Sequence, residues 1–336
     1  MPRFVRWVCL LLLAFLAGYM TALWGAGLPL APHFRSVAKR LDADVFGNRV
    51  ALLYYGERNL DFAPPPDAAA YSWATRGLFL PIAHGLGPQL FAGPNQVVTL
   101  EEGRRRGFLI FEVDLAASTD DHLVCFHEIG GQDLDKMSHA EYLQILNQEG
   151  LSPCEFRDLV QIAARDPGIR FVLDVRNKFD RAYQLARSEI GDAALGKSFI
   201  PQIYHFDQLA QFRSDHFFAG EIFTSYRSHL KTEEIIASAP RLHIQVVTLT
   251  RPRVAELKSI PPTPLLMTHP VDDAFDAAKL RAAGIRGIYT SYLSPLTTPE
   301  VFKPWDEGCL PQQTWSRCDF LSAAQAPGPS DAERPR

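Results

Sequence analysis

Several signatures of common binding classes are missing from these 336 residues. Lysine and arginine number 34 against 38 aspartates and glutamates, which gives a net charge of −4. A nucleic-acid-binding chain normally carries a basic excess on one face, so this balance argues against a nucleic-acid partner. The five cysteines include no CxxC pair, the spacing that would suggest a zinc site. No internal repeat is visible either.

The first predicted strand is not followed by the glycine-rich loop that a dinucleotide-binding sheet would need. This absence argues against an open, doubly wound sheet, although that architecture remains the structural alternative. What the chain does have is a large apolar content, 47% of its residues. Such a fraction is enough for a sizeable core and argues against global disorder.

The N-terminus begins with Arg3 and Arg6, followed by an uncharged apolar run from Trp7 to Ala31. About 20 such residues can span a bilayer as a helix, so the run predicts a signal anchor or transmembrane segment. The alternative is a cleaved signal peptide, whose apolar region is shorter, about 7–15 residues. Basic residues such as Arg35 also follow the run, so the positive-inside rule leaves its orientation open.

The predicted organisation has four parts. Residues 1–32 form the anchor, 33–76 a connector, 77–300 a single folded domain, and 301–336 a C-terminal extension. The end of that extension, from Ala323 to Arg336, is rich in proline, alanine and charge, which predicts disorder.

Within residues 77–300, short apolar runs alternate with amphipathic stretches such as Lys231–Ala239 and Ala274–Ala283. Strand–helix alternation predicts parallel strands with crossover helices, and eight such units suggest a closed (β/α)8 TIM barrel. The predicted strands are Leu78–His84, Phe108–Asp114, Arg170–Asp174, Phe199–Tyr204, Glu221–Tyr226, His243–Leu249, Leu265–His269 and Gly287–Tyr292.

The cysteines suggest little about pairing. Cys309 and Cys318 are close together and could form a local disulfide, whereas Cys125 and Cys154 could be free and buried. A disulfide would place the folded domain in an oxidising compartment.

Two carboxylates stand two residues apart on one predicted strand, Glu112 and Asp114. Because side chains alternate along a strand, both should point into the barrel, and Phe111 should point outward. Carboxylates buried side by side repel each other, and a cation between them would remove the conflict. Asp174, at the end of a later strand, is the natural third ligand, and an all-oxygen site favours Mg²⁺ or Ca²⁺. Alternatively, Glu112 pairs with an arginine and Asp114 caps a helix.

Two histidines follow apolar runs near these acids. His84 ends the first predicted strand, and His127 follows the short run Leu123–Phe126. In a barrel, active sites lie where the strands end. Phosphodiester cleavage needs one group to deprotonate the nucleophile and another to protonate the leaving oxygen, and histidine suits both tasks near neutral pH. The two histidines therefore become candidate acid–base groups for a reaction of this kind, which the resemblance described next implies, although a lone histidine is more often structural.

The segments "PIAHGLG" and "FEVDLAASTDDHLVCFHE" resemble the opening block of the glycerophosphodiester phosphodiesterase family. "FVLDVRNK" resembles its third-strand Glu-x-Lys, and "AAGIRGIYTSYLSP" resembles its closing strand. The resemblance implies a metal held by Glu112, Asp114 and Asp174, with catalysis by His84 and His127. The remaining positions that match the opening block are Asn95, Thr119 and Asp121, the last with Asp120 as its alternative.

The chain departs from the family pattern at three places. Gly85 stands where an arginine normally follows the first histidine, Glu128 where an aspartate follows the second, and Asp174 where the third ligand is usually glutamate. An aspartate there, and no arginine after the first histidine, also resemble the related sphingomyelinase D type of phospholipase. Arg176 shares the face of Asp174 and could hold the substrate phosphate. Lys178 and Arg227 are weaker candidates for that contact.

The leading expectation is a metal-dependent phosphodiesterase that cleaves a glycerophosphodiester or a lysophospholipid-like phosphodiester by two-histidine acid–base catalysis. The alternatives are a lipid phosphodiesterase of the sphingomyelinase D or phospholipase D type, and a non-catalytic barrel that binds lipid head groups. The expected partners are a phosphodiester or phospholipid-derived substrate and the membrane. The expected location is membrane-anchored, with the catalytic domain periplasmic or otherwise outside the cytoplasm.

Overall fold

The structure, a computed structural model, describes residues 65–74, 79–88, 94–126 and 134–302. The apolar run Trp7–Ala31, the residues His127 and Glu128, and the Cys309–Cys318 pair lie outside the described residues. No helix among the described residues combines the length and the apolar character that crossing a bilayer requires.

Eight parallel strands close into a barrel, as the sequence predicts. Each strand pairs with its neighbours in chain order, and the ring closes where the first strand pairs with both the second and the last. A ninth strand, β3, runs antiparallel along the end of β2 and is not part of the ring. The strands are β1 Leu80–Ala83, β2 Ile110–Ala117, β3 Leu123–Cys125, β4 Arg170–Val175, β5 Phe199–Ile203, β6 Ile222–Thr224, β7 Val246–Thr250, β8 Leu265–His269 and β9 Gly287–Thr290.

Helices cross from one barrel strand to the next, and the two helices that the sequence analysis names are confirmed, Ala274–Ala283 with the same bounds. The α-helices are α1 Val97–Arg105, α2 His139–Gln148, α3 Phe156–Arg165, α4 Phe179–Ile190, α5 Ala193–Gly196, α6 Leu209–Arg213, α7 Thr232–Ser238, α8 Arg251–Ala255 and α9 Ala274–Ala283. Short 3₁₀ turns lie at Ala68–Tyr71, His84–Leu86, Leu134–Lys136, Phe206–Gln208 and Ser225–Arg227.

The alternation of side chains along each strand produces two apolar layers. Outward residues such as Phe111 and Phe171 pack against the helices in the larger cluster. Inward residues such as Ile110 and Val172 fill the barrel interior in a second cluster. Along β2, apolar Ile110 is therefore followed on the same face by Glu112 and Asp114. The barrel interior is apolar at the amino ends of the strands and polar at their carboxyl ends.

The amino end of the barrel is closed by residues that precede β1. Tyr71 and Trp73 are almost fully buried and belong to the interior cluster. The indole Nε1 of Trp73 donates to the carbonyl of Ala219 at 2.9 Å, and the Tyr71 hydroxyl accepts from the amide of Glu221 at 3.1 Å. With one end plugged in this way, the polar carboxyl end is the open mouth of the barrel.

Cys125 and Cys154 are not free thiols, contrary to the sequence-based interpretation. They form a disulfide with a Cα–Cα distance of 5.3 Å, and both are buried as expected. The amide of Cys125 also donates to the carbonyl of Cys154 at 2.9 Å, because the chain before α3 runs alongside β3. The pair is 29 residues apart in the sequence, so only this tertiary pairing brings the sulfurs together.

Candidate active site

A cavity of about 240 Å³ opens at the carboxyl ends of the strands. Its lining includes His84 and all three acids that the sequence singled out, Glu112, Asp114 and Asp174. The remaining lining residues are Arg176, Gln202, Tyr226, His269 and Tyr289. The structure thus brings together the described site residues that were predicted from separate strands.

The three carboxylates form one buried cluster. Each of Glu112, Asp114 and Asp174 offers an oxygen, and these oxygens all lie within 4.8 Å of one another. Asp114 and Asp174 are register partners on the adjacent strands β2 and β4. The three residues are only 2–4% exposed. Burial, and then the charges of the two aspartates, raise the pKa of Glu112 well above its usual value. The cluster is therefore short of positive charge and could hold a metal ion.

Arg176 supplies part of the missing charge. It lies two residues beyond Asp174, and its Nη1 is 3.3 Å from an oxygen of Asp114 and 3.3 Å from an oxygen of Asp174. Its side chain remains 42% exposed at the cavity mouth. One guanidinium against three carboxylates leaves the centre of the cluster negative, so Arg176 does not replace a divalent cation.

Two tyrosines fix the orientation of Asp174. The hydroxyl of Tyr226 donates to Oδ2 at 2.5 Å, and the hydroxyl of Tyr204 donates to Oδ1. Burial, and then the charge of Asp174, raise the pKa of both phenols above the usual value, so both remain protonated donors at neutral pH. Neither tyrosine was singled out in the sequence, although each is the last residue of a predicted strand, the same signal that indicated His84.

Asn95 orients Asp114 by hydrogen bonds, as the two tyrosines orient Asp174. Its Nδ2 donates to Asp114 Oδ2 at 2.9 Å, and its Oδ1 accepts from the amide of Asp114 at 3.0 Å. The asparagine has a positive φ of 60°, and its own amide donates to the carbonyl of Gly85 at 2.7 Å. Asparagine is one of the few residues that tolerate this backbone region and also offer both a donor and an acceptor.

The backbone amide of Gly85 is a hydrogen-bond donor to Glu112. Its amide donates to Glu112 Oε2 at 2.8 Å, and its φ of 58° and ψ of 42° lie in the left-handed region that glycine adopts readily. The departure from the expected arginine thus coincides with a tight turn that points an amide at the cluster.

His84 lies at the edge of the cluster, in the turn directly after β1. Its Nε2 is 3.9 Å from Glu112 Oε2, and its Nδ1 is 3.4 Å from the hydroxyl of Ser291. Its side chain is 35% exposed, so it can reach both the acids and an incoming substrate.

The other basic residues considered for the phosphate are not placed for that role. Lys178 directs its Nζ to the carbonyl of Ser118 at 2.8 Å. Arg227 stacks over the rings of Tyr204 and Tyr226, at 4.3 and 5.5 Å from their centroids. Of the basic candidates named from the sequence, Arg176 alone lines the cavity in the described part of the chain.

The turn after β2 has a structural role. Asp121 forms an ion pair with Arg181 at 2.7 Å, and Asp120 accepts from the Ser118 hydroxyl at 2.7 Å and from the amide of His139 at 2.8 Å. Neither aspartate lines the cavity. The match of this turn to the family block therefore concerns how the chain folds back into β3.

No family model and no curated protein matches this chain. Solved structures do match it, in fold. A glycerophosphodiester phosphodiesterase from Parabacteroides distasonis is 16% identical with a TM-score of 0.53, over 66% of this chain and 96% of that one. A phosphodiesterase from Oleispira antarctica, in complex with its product sn-glycerol-3-phosphate, is 16% identical with a TM-score of 0.52, over 69% and 98%. A glycerophosphodiester phosphodiesterase from Thermotoga maritima is 14% identical with a TM-score of 0.50, over 63% and 94%. At these identities the likeness shows a shared fold.

Asn95→Gly should lower the free energy of unfolding by about 1–3 kcal/mol, because the amide and a carboxylate oxygen of buried Asp114 each lose a hydrogen bond with Asn95. Glycine accepts the positive φ, so this variant removes the hydrogen bonds without adding backbone strain. Asn95→Ala should be less stable again, because it adds backbone strain. Urea unfolding at neutral pH measures both variants. A glycine variant as stable as the wild type would show that Asn95 does not hold Asp114.

Proposed function

We propose that the protein is a metal-dependent phosphodiesterase that cleaves glycerophosphodiesters or lysophospholipid-like phosphodiesters. One observation carries the proposal: three buried carboxylates, a partly exposed arginine and a histidine converge in one cavity at the carboxyl end of a (β/α)8 barrel. A phosphodiester is an anion whose cleavage needs charge stabilisation and two proton transfers, and the described cavity offers groups for the charge stabilisation and His84 for one of the transfers. The solved structures of the same fold include phosphodiesterases, one of them with sn-glycerol-3-phosphate bound.

Glu112, Asp114 and Asp174 are the proposed ligands of a divalent cation. They fit one because their oxygens converge, because they are buried together, and because the charges of Asp114 and Asp174 contribute to the raised pKa of Glu112. An all-oxygen set suits Mg²⁺ or Ca²⁺. When bound, such an ion stabilises the negative charge that develops on the phosphoryl oxygens. The hydrogen bonds from Gly85, Asn95, Tyr204 and Tyr226 hold the carboxylates in place for it.

His84 and His127 are the proposed acid–base pair. His84 lies beside the carboxylates and opens to the cavity, where it can take a proton from the nucleophile or give one to the leaving oxygen. His127 follows Phe126, whose amide donates to the carbonyl of Asp114 at 2.9 Å. The chain therefore passes Asp114 immediately before His127, which supports a place for this histidine at the same mouth.

Arg176 is the proposed phosphate contact. A guanidinium presents several donors in one plane and can bind two oxygens of a phosphoryl group at once. Its Nη1 already faces Asp114 and Asp174, so a phosphate that it binds would lie against the carboxylate cluster. The exposure of its side chain allows it to meet a substrate that enters from solvent.

Two alternatives remain worth testing. A lipid phosphodiesterase of the sphingomyelinase D or phospholipase D type is favoured by Asp174 at the third acidic position and Gly85 after the first histidine. A non-catalytic barrel that binds lipid head groups would not need a histidine facing the buried acids. Product analysis with glycerophosphodiesters, lysophospholipids and sphingomyelin, each with added Mg²⁺ or Ca²⁺, separates these functions.

The cation can be tested without a substrate. A calorimetric titration with Mn²⁺ as a probe should show one binding site. Asp174→Asn should lower the Mn²⁺ affinity of that site at least about tenfold, because a ligand charge is lost. A saturating cation should also raise the thermal midpoint of the wild type. Asp166→Asn is the matched control, since the Asp166 side chain is 37% exposed, pairs with Arg104 and does not line the cavity. Equal affinity in both variants and the wild type would contradict the assignment.

The histidines can be tested by turnover of the best substrate from that screen. His84→Ala and His127→Ala should each lower kcat/KM by about 10²–10⁴-fold, because each removes one proton transfer. His216→Asn controls for the loss of a histidine: His216 is exposed, its φ is 51°, and asparagine tolerates that region. If both alanine variants turned over at the wild-type rate, the acid–base roles would be wrong.

We also propose that residues 1–32 anchor a barrel domain of residues 77–300 outside the cytoplasm, with the connector 33–76 between them and the extension 301–336 after the barrel. The Cys125–Cys154 disulfide supports an oxidising compartment.

In cells that express the full chain, trapping of free thiols should find this pair oxidised, and fractionation should find the protein in the membrane fraction. Deletion of residues 1–32 should leave the pair reduced. A reduced pair in the full chain, with the barrel reachable by protease only from the cytoplasmic side, would reverse the proposed side.

A further inference from the structure

The chain enters and leaves the barrel at the same end. Residues 65–74 come first among the described residues, and their Tyr71 helps to plug the amino end. At the other limit of the described chain, Phe302 stacks on Phe79, the residue before β1, with ring centroids 5.9 Å apart. The sequence that leads back to the apolar run Trp7–Ala31 is therefore joined to the barrel at its amino end, opposite the mouth.

Two large apolar side chains are exposed at this amino end. Leu109, directly before β2, is 59% exposed, and Leu296 is 67% exposed. The two are neighbours, because the side chain of Leu296 lies against Gly107 and its amide donates to the carbonyl of Arg106 at 3.2 Å. Moving exposed leucine side chains from water into an apolar phase is favourable.

Three consecutive arginines surround these leucines. Arg104–Arg106 end α1 and share two acidic partners, Asp166 and Glu102, so the group carries a net positive charge. The side chain of Arg105 remains 69% exposed in its ion pair. We call the run Arg104–Arg106 and the two exposed leucines the amino-end patch.

The crossover helices give the whole amino end the same sign of charge. Each of these helices runs opposite to the strands, so its first turn lies at the mouth and its last turn at the amino end. In the longer crossover helices α1, α3, α4, α7 and α9, the acids stand in first turns and the bases in last turns, as helix dipoles favour. The acids are Asp158, Asp180, Glu233, Glu234 and Asp276, and the bases are Arg104, Arg105, Arg165, Arg187 and Arg281.

The mouth also exposes apolar side chains, Val98, Phe275 and Tyr292. Lys279 lies over the ring of Phe275, 4.2 Å from its centroid. These side chains stand among the acids of the helix first turns and above the three acids of the cavity. An anionic phospholipid surface attracts basic residues and repels acidic ones. Charge therefore favours the amino end over the mouth as the side that meets such a surface.

We infer that the barrel docks on an anionic phospholipid bilayer through the amino-end patch, so that its mouth faces away from that membrane. The arginines pair with lipid phosphates, and the two leucines enter the apolar part of the interface. This orientation goes beyond the proposed function, and it rests on the proposed anchor only for bringing the barrel to a bilayer. The substrate then reaches the cavity from the aqueous phase.

The test places a dansyl-type amino acid in the full chain at one of four positions, Leu109 or Leu296 in the patch and Phe275 or Tyr292 at the mouth. Each protein is mixed with vesicles of phosphatidylcholine and phosphatidylglycerol that contain a doxyl-labelled lipid, which quenches fluorophores at the bilayer. The probes at positions 109 and 296 should lose most of their fluorescence, and those at 275 and 292 should keep it. Omitting phosphatidylglycerol or adding salt should reduce the quenching, because the attraction is electrostatic.

A charge reversal tests the patch directly. Arg105→Glu, read with the probe at position 296, should lower the ratio of docked to undocked protein at least about fivefold, because one charge near the surface is reversed. Arg251→Glu is the matched control, since Arg251 is also an exposed arginine paired with an acid, but at the mouth. It should leave the quenching at position 296 unchanged.

Each outcome decides the inference. Quenching at positions 275 and 292 in place of 109 and 296 overturns it, because the mouth then faces the bilayer. Fluorescence kept at all four positions overturns it as well, and so does quenching at 109 and 296 that neither phosphatidylglycerol nor Arg105→Glu affects. Sedimentation with vesicles of phosphatidylcholine alone reports on the anchor separately: a chain that stays in solution contradicts the anchor, while quenching by the anionic vesicles still decides the docking. No readout uses phosphodiester cleavage, so a failure of the proposed function would not be mistaken for a failure of docking.

Discussion

The mutual repulsion of Glu112, Asp114 and Asp174 is the constraint on which the rest of the site depends. Three buried carboxylates within 4.8 Å of one another are unfavourable unless donors and positive charge surround them. The fold supplies four donors: the Gly85 amide, the Asn95 side chain and the Tyr204 and Tyr226 hydroxyls. Within the described residues, the positive charge that pairs with these acids comes from Arg176, at the mouth. Because of this deficit, the cluster could hold a metal ion.

The barrel makes such a cluster tolerable because its two ends differ. At the amino ends of the strands, Tyr71 and Trp73 complete an apolar plug that contributes to stability. At the carboxyl ends, the inward-facing positions are polar, so the free-energy cost of burying charge is confined to that end of the barrel. Asp114 and Asp174 are register partners on strands that pair over six residues, so the backbone holds the two residues side by side. The rigidity that forces them together also keeps the site in one geometry.

The acids and His84 could be predicted because each carries a signal in the sequence itself. That signal is a two-residue spacing on one strand, or a polar residue where an apolar run ends. Tyr204, Tyr226 and His269 stand at similar positions, yet an aromatic or a lone histidine there is more often part of the core, so the pattern alone did not separate them. The disulfide was missed for another reason. Cys125 and Cys154 meet only because β3 turns back antiparallel along β2 and the chain before α3 then joins it.

By itself, the sequence determined the barrel and the inward face of β2, since alternation and strand–helix order follow from local backbone geometry. It also determined that Glu112, Asp114 and Asp174 would meet, because parallel strands bring their carboxyl ends to one edge. Only the tertiary structure decided which groups neutralise and orient those acids. Hydrogen bonds such as that from Gly85 to Glu112 depend on distances between elements far apart in the chain. Such distances are set by closure of the barrel.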